Sequence, residues 1–139
     1  MDILEMKRIK NLLFQATNEK NASLISDHLA DEVIWHECGE DGNDTVFTGS
    51  KEKFINGNIL GDGAFKKKKN IIFQVAENDM VVTYFAIEGF HVNDFMNVPA
   101  TGKKVRFYAT YTAKFKNELI SEIWAICDGH LALKQIEAI

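Results

Sequence analysis

Four long segments rich in β-branched and aromatic residues occupy the second half of this 139-residue chain and most constrain its fold. The polar pairs Asn78-Asp79 and Asn117-Glu118 lie between the first two and the last two segments, at positions typical of hairpin turns. Because long antiparallel neighbours twist and curl, we expect a curved sheet. The four predicted strands are Lys69–Ala76, Met80–His91, Lys104–Lys116 and Leu119–Cys127.

Helical patterns dominate the first half of the chain. Apolar residues recur at three- and four-residue steps over residues 2–18, which predicts an amphipathic helix whose apolar stripe ends at Leu13 and Phe14. A second helix is predicted over residues 22–29 with Asn21 as its N-cap, and a third after Ser50. The third helix is expected to end near Gly57 or Gly61.

Three further segments complete the prediction. Residues Glu32–Glu37 favour a strand, residues 38–45 a loop and residues 129–137 a short helix. Helices followed by a strand meander indicate one α+β domain over residues 1–139, with the N-terminal helices packed across the concave face of a cone-shaped antiparallel sheet. The interior or mouth of such a cone is where a pocket is expected.

Composition and charge exclude several classes of protein. The net charge of −4 gives no basic footprint for nucleic acid, and the run Lys66–Lys69 is interpreted as a solvated strand start or loop. No apolar run approaches about 18 residues, so no membrane span is expected. The N-terminus intersperses charges among its apolar residues, which is unlike a signal peptide and favours a cytoplasmic protein. Cys38 and Cys127 are too few for a disulfide framework and are expected to be thiols.

Several motifs resemble SnoaL-like polyketide cyclases. The stretch Val98–Phe107 (VPATGKKVRF) is similar to the family's hairpin, and Asn117–Asp128 (NELISEIWAICD) resembles its "DGKIVEHWDVWD" ending. Upstream, Leu29–His36 (LADEVIWH) is similar to the family's "YADDVVWH". Phe47-Thr48-Gly49, which precedes a predicted helix, matches the family's "GR-A" motif. Four such pieces in the correct order cover nearly the whole chain.

The resemblance implies the nuclear transport factor 2-like fold, often a homodimer formed through the sheet. It also implies acid–base chemistry in the cone pocket without a metal or an organic cofactor. In the cyclases an aspartate near the end of the last strand acts as acid and base in an intramolecular aldol closure, and Asp128 is the matching position. His36 matches the histidine of "VWH" and is the second candidate catalytic residue.

Strand alternation extends this candidate site. If no bulge intervenes, Glu122, Trp124, Ile126 and Asp128 share one face of the last strand. A carboxylate beside an apolar face becomes a better base near neutrality, although Asp128 also stands where a helix N-cap belongs. On the first strand either Trp35 or His36 lines the pocket, and His36 is favoured. Candidate substrate-binding residues are Trp124, Glu122, Tyr108, Ile126 and Phe14.

Alternatives remain for each of these roles. Asp128 can serve as a cap alone, His36 as a hydrogen-bonded wall residue, Glu122 as a partner of Lys114 or Arg106, and the tyrosines as ordinary sheet packing. His36-Glu37-Cys38 and Cys127–His130 contain ligand-type residues but lack CxxC or HxxxH spacing, so no metal site is expected.

Three functions follow from these alternatives. The first is a cofactor-independent enzyme acting on a small apolar carbonyl compound. The second is a protein that binds a small hydrophobic ligand without turnover, which the apolar Ile123, Ala125 and Cys127 permit. The third is a scaffold with a filled cone, recognisable by a pocket smaller than about 300 Å³.

Overall fold

The computed structural model describes residues 1–38 and 44–137, without the side chain of Cys38. It confirms the α+β architecture: a curved, unclosed six-stranded sheet with helices against it. The helices are α1 (Ile3–Glu19), α2 (Lys51–Ile55), which continues as a π-helical turn (Asn56–Leu60), and α3 (Gly129–Ile136). No helix within the described ranges is long and apolar enough to cross a membrane.

The sheet has the strand order β2-β1-β6-β5-β4-β3. All neighbours pair antiparallel except β1 and β6, which run parallel. The strands are β1 (Leu29–Cys38), β2 (Asp44–Ser50), β3 (Phe65–Glu77), β4 (Met80–His91), β5 (Lys104–Lys116) and β6 (Leu119–Cys127). The four predicted strands of the second half therefore form the meander, with β3 beginning four residues earlier than predicted.

Two local predictions differ from the structure. Residues 22–29 do not form one helix but two 3₁₀ turns, Ala22–Leu24 and Ser26–His28, that lead into β1. The sequence does not predict strand β2, because none of its residues is fully buried and they form no apolar run. Of the predicted loop 38–45, residues 39–43 lie outside the described part of the chain.

Helix α1 covers the concave face of the sheet. Its apolar stripe, including Met6, Ile9 and Leu13, is buried against Val33 and Trp35 of β1 and against neighbouring strands. A second apolar cluster gathers β3, β4 and β5 under α3, around rings that include Phe65, Phe85 and Phe107. Burial of these two clusters fixes which face of each strand looks into the cone.

The turn between β5 and β6 contains a strained position. Asn117 and Glu118 both have positive φ, at 52° and 66°, as a type I′ turn requires, and an L-residue other than glycine or asparagine is costly there. Replacing Glu118 with glycine is therefore expected to raise the free energy of unfolding by about 1 kcal/mol. Urea denaturation measures this gain, and Glu77→Gly, in regular strand before the other hairpin, is the control expected to lose stability. An unchanged midpoint for Glu118→Gly would contradict the assigned turn.

Candidate functional site

An interior cavity of about 210 Å³ lies between the concave face of the sheet and the π-helical turn. Apolar side chains, among them Phe65, Ile87 and Phe107, form much of its wall. Its polar wall residues are Glu37, Asn58, Lys67, Lys69, Tyr111 and Cys127. A side chamber of about 20 Å³, room for one water, extends towards Trp35 and shares Glu37, Asn58, Lys69 and Tyr111 with it.

The size of the cavity restricts what it can hold. At about 210 Å³ it is below the roughly 300–1,000 Å³ typical of pockets for drug-sized ligands. It exceeds the roughly 150 Å³ that suffices for benzene in an engineered cavity. The volume therefore falls in the range expected above for a scaffold with a filled cone, and the space that remains matches a compound of about one ring.

Lys69 is the charged side chain most deeply placed in this wall. Only 5% of the residue is exposed. Strand β3 is an edge of the sheet, and the amide of Asn18 at the end of α1 pairs with it: Lys69 N donates to Asn18 Oδ1 at 2.7 Å, and Asn18 Nδ2 donates to Lys69 O at 2.8 Å. Both backbone groups of Lys69 are thereby fixed against the helix, which holds its side chain towards the interior.

The amine of Lys69 is surrounded by aromatic rings. Its Nζ donates to the hydroxyl of Tyr111 at 3.0 Å and lies 4.4 Å from the centre of the Tyr111 ring. The rings of Phe85 and Phe14 are 5.6 and 5.9 Å away. Burial lowers the pKa of Lys69 to about 8. An amine with this pKa is partly neutral near pH 7, whereas a surface lysine is almost fully protonated there.

A second buried lysine stands behind the first. Lys10 of α1 is fully buried and donates from Nζ to the carbonyl oxygen of Tyr111 at 3.0 Å. Burial, with the charge of Lys69 as a smaller contribution, lowers the pKa of Lys10 to about 7. Lys10 and Lys69 thus hold Tyr111 from two sides, at its backbone and at its hydroxyl.

His36, Glu122 and Trp124 are brought together, but on the convex face of the sheet. His36 Nε2 lies 2.6 Å from Glu122 Oε2, and the His36 ring stacks on Trp124 with centroids 5.0 Å apart. Trp35, and not His36, faces the interior, where it is 7% exposed. The prediction that these three residues line the pocket is wrong.

A β-bulge explains the error. Ile120 pairs with Phe115 and Glu122 pairs with Lys114, so Ser121 is an extra residue in β6. The bulge reverses the alternation, and from that point Ile123, Ala125 and Cys127 face inward while Glu122 and Trp124 face outward. The expected Lys114 or Arg106 partner of Glu122 is replaced by His36 as the hydrogen-bonded partner.

The other predicted substrate-binding residues are scattered. Tyr108 stacks on Tyr84 on the convex face, with centroids 5.8 Å apart, and Arg106 contacts it. Ile126 is at the cavity rim but is 54% exposed. Phe14 is buried behind the cavity, 5.9 Å from the ring of Tyr111. Of these three, only Phe14 packs against a polar wall residue of the cavity.

Asp128 is the N-cap of α3. Its Oδ1 accepts a hydrogen bond from Leu131 N at 3.0 Å, and the residue is exposed and outside the cavity wall. The cap predicted for this position is confirmed, whereas its catalytic role stays a prediction.

Replacement of Asp128 separates the two roles. Asp128→Ala is expected to lose about 1 kcal/mol of stability, because the first turn of α3 loses its cap, while Asp128→Asn keeps the cap and the stability. Thermal unfolding and turnover are measured on both variants. Since the carboxylate lies outside the cavity, both variants are expected to keep the turnover rate of the wild type. Loss of turnover in Asp128→Asn would instead show that Asp128 is catalytic.

The lysines of the cavity were missed for identifiable reasons. The run Lys66–Lys69 has the composition of a solvated segment, yet alternation from the aromatic Phe65 places Lys67 and Lys69 on one face of β3. Lys10 follows Met6 and precedes Phe14 by four residues, which places it within the apolar stripe of α1. Among the described residues, no group of three or more His, Cys, Asp or Glu side chains is arranged to hold a metal ion.

A family model decides the relationship that the motifs suggest. The model described as SnoaL-like polyketide cyclase matches residues 7–136, nearly the whole chain. The chain belongs to this family. Membership of the SnoaL-like polyketide cyclases supports a cyclase-like enzyme in general. Among curated proteins, none matches the chain.

Solved structures show the same fold at low sequence identity. AclR from Streptomyces galilaeus is 20% identical, with a TM-score of 0.76 and 97% of each chain covered. IdmH from Streptomyces antibioticus is 21% identical, with a TM-score of 0.75, and covers 93% of this chain and 96% of its own. An LEH-like epoxide hydrolase from M. tuberculosis is 12% identical, with a TM-score of 0.72 and coverages of 96% and 90%. At these identities the likeness shows a shared fold, and a fold by itself does not fix an activity.

Proposed function

We propose that this SnoaL-like protein is a cofactor-independent acid–base enzyme that acts on a small, largely apolar carbonyl compound inside the cone. The observation that carries the proposal is the Lys69–Tyr111 pair in the wall of a cavity of about one-ring size. A substrate carbonyl oxygen beside Lys69 Nζ would receive a hydrogen bond from the ammonium. That bond strengthens as the oxygen gains charge, so the enolate is stabilised more than the ketone.

Glu37 is the residue we propose as the base. Among the described residues that line the cavity and its side chamber, Glu37 carries the one carboxylate. It lies across the sheet from β3, shares the face of Trp35 by strand alternation, and is exposed at the edge of the cavity wall. A base on one wall and a cation on another can divide the removal of an α proton and the stabilisation of the resulting enolate. An aldol closure, the reaction that the family's description suggests, begins with this step.

The direct test follows α-proton exchange. Cyclohexanone, a one-ring ketone that the cavity volume admits, is incubated with the protein in D₂O, and loss of the α-proton signal is followed by ¹H NMR. The wild type is expected to accelerate exchange, and Glu37→Gln to reduce this acceleration by about 10²-fold or more. Asp44→Asn, which removes an exposed carboxylate on the neighbouring strand, is the control and should match the wild type.

A non-catalytic ligand-binding protein is the second candidate. The apolar side chains that form much of the cavity wall favour it, since they would retain a hydrophobic ligand without any chemistry. Ligand-induced shifts of the inward-facing side chains without α-proton exchange would support binding alone and contradict the enzyme.

We further propose that a second copy of the chain covers the convex face. Val46, Ile126, Phe73 and Val75 are each more than half exposed on this side of the sheet, near the stacked pairs formed by His36 and by Tyr108. Exposed apolar side chains grouped in this way are typical of an interface between proteins. Analytical ultracentrifugation tests the homodimer: Ile126→Glu should shift the mass from a dimer to a monomer, and a monomeric wild type would contradict it.

A further inference from the structure

We propose that Lys69 captures the carbonyl substrate covalently, as an imine, in the interior cavity. The inference rests on the proposed function, because it deepens the role of the same side chain from hydrogen-bond donor to nucleophile. It applies to ketones and aldehydes of about one-ring size, and it does not extend to esters or carboxylic acids, which do not form imines with an amine.

The chemistry balances without any co-reactant. The neutral amine of Lys69 adds to the carbonyl carbon, forming a C–N bond while the carbonyl electron pair moves to oxygen. Both amine protons and the oxygen then leave as water, which gives a neutral imine. Protonation of its nitrogen makes an iminium, whose positive charge acidifies the α carbon. The α proton passes to a base, which leaves a neutral enamine. The enamine takes up a proton from solvent at its α carbon and becomes an iminium again. Water then adds to the iminium carbon, and the C–N bond breaks to release the ketone and regenerate the amine.

The position of Lys69 meets the geometric needs of this step. Its backbone is clamped by Asn18, and its Nζ is held at 3.0 Å from the Tyr111 hydroxyl at the cavity wall. In the ion pairs of the described residues, carboxylates join Lys20 and Lys51, and none joins Lys69. A lysine without a carboxylate partner can give up its proton without breaking an ion pair.

Burial among aromatic rings supplies the reactive form of the amine. With a pKa of about 8, roughly a tenth of Lys69 is neutral at pH 7, against less than about 0.1% for a surface lysine. Lysines desolvated in hydrophobic pockets are used as imine-forming nucleophiles, and burial is what lowers the pKa of Lys69. Lys10 itself does not line the cavity, so Lys69 is the residue that a ligand reaches.

Reductive trapping tests the inference. The whole protein is incubated with cyclohexanone and sodium borohydride at pH 7.5. Its intact mass is then measured, and peptide mass spectrometry locates the labelled residue. An imine at Lys69 is fixed as a secondary amine, which adds the mass of the ketone less one oxygen atom. We expect Lys69 to be labelled at least tenfold faster than any surface lysine.

Matched variants locate the adduct. Lys69→Met should lose the rapid labelling, whereas Lys66→Met, which removes an exposed lysine of the same strand, should keep it. Lys69→Arg keeps a cation but cannot form the imine, so it should also lose the label, and its folding is checked by thermal unfolding. Labelling spread over surface lysines, and unchanged in Lys69→Met, would overturn the inference.

The outcome is separable from that of the proposed function. Accelerated α-proton exchange without an adduct at Lys69 would overturn the imine and leave acid–base catalysis standing. An adduct at Lys69 without accelerated exchange would support covalent capture and overturn the proposed enzyme. Retained exchange in Lys69→Arg would likewise contradict the imine, because a guanidinium can donate a hydrogen bond but cannot condense with a ketone.

Discussion

Replacing Lys69 with methionine is expected to abolish carbonyl chemistry while leaving the protein folded and more stable. Removing a donor aimed at a developing oxyanion costs about 10²–10³-fold in rate, and loss of a covalent nucleophile costs at least as much. Methionine has a similar length and adapts to the rings around it, so it fills the site without burying a charge. We expect a gain of about 2 kcal/mol in the free energy of unfolding near pH 7.

The stability difference should depend on pH in a defined direction. Folding lowers the pKa of Lys69 from its ordinary 10.5 to about 8. Below pH 8 the amine is protonated in both states, and the folded wild type bears the full cost of the buried charge. Between pH 8 and 10.5 the unfolded chain binds more protons, so wild-type stability rises with pH. The advantage of Lys69→Met should therefore shrink across this range.

Chemical denaturation at pH 7 and pH 9.5 measures this change. Lys66→Met is the control, because Lys66 is exposed and its charge is solvated in both states. A stability difference that stays constant with pH, or turnover retained by Lys69→Met, would contradict the role given to the buried amine.

Gly89→Ala is expected to destabilise the protein strongly. Gly89 of β4 pairs with Lys67 of β3, and a Cβ at Gly89 would lie 2.0 Å from the carbonyl oxygen of Lys66. That atom belongs to the backbone of a paired strand and cannot rotate away. Separating the strands to admit a methyl group is expected to cost about 3 kcal/mol or more.

Urea denaturation of Gly89→Ala should show this loss, together with a displacement of β3. Gly57→Ala is the matched control, because a Cβ there would meet no heavy atom within 4 Å apart from its chain neighbours and the backbone of its own helical turn. It should be neutral or slightly stabilising, since alanine favours helical backbone more than glycine does. A Gly89→Ala variant within about 1 kcal/mol of the wild type would contradict the close approach of β3 and β4.

Much of the fold could be predicted because the deciding signals are local. The periodicity of α1, the long strand patterns and the polar pairs at residues 78–79 and 117–118 give the correct element types and order. Asn21, Ser50 and Asp128 are N-caps as predicted, each accepting a hydrogen bond from a backbone amide of the turn that follows. Strand β2 was missed because pairing with β1, and not its own pattern, makes it a strand.

The site was harder to predict because it depends on register. One extra residue at Ser121 turns Glu122 and Trp124 from the interior to the convex face. No local pattern reveals a bulge within a strand of suitable composition. Lys69 is hard to find for a different reason, since the composition of a run of four lysines suggests solvent. Alternation from Phe65 places Lys67 and Lys69 on one face, and the structure shows that Lys69 is buried there.

The comparison that tests the account most directly is between Tyr111→Phe and His36→Gln in the α-proton exchange of cyclohexanone. Tyr111→Phe removes the hydroxyl that holds the Lys69 amine in the cavity, whereas His36→Gln alters the pair with Glu122 on the convex face. We predict that Tyr111→Phe lowers the exchange rate at least tenfold and that His36→Gln leaves it unchanged. Loss in His36→Gln with full activity in Tyr111→Phe would contradict the interior cavity as the functional site.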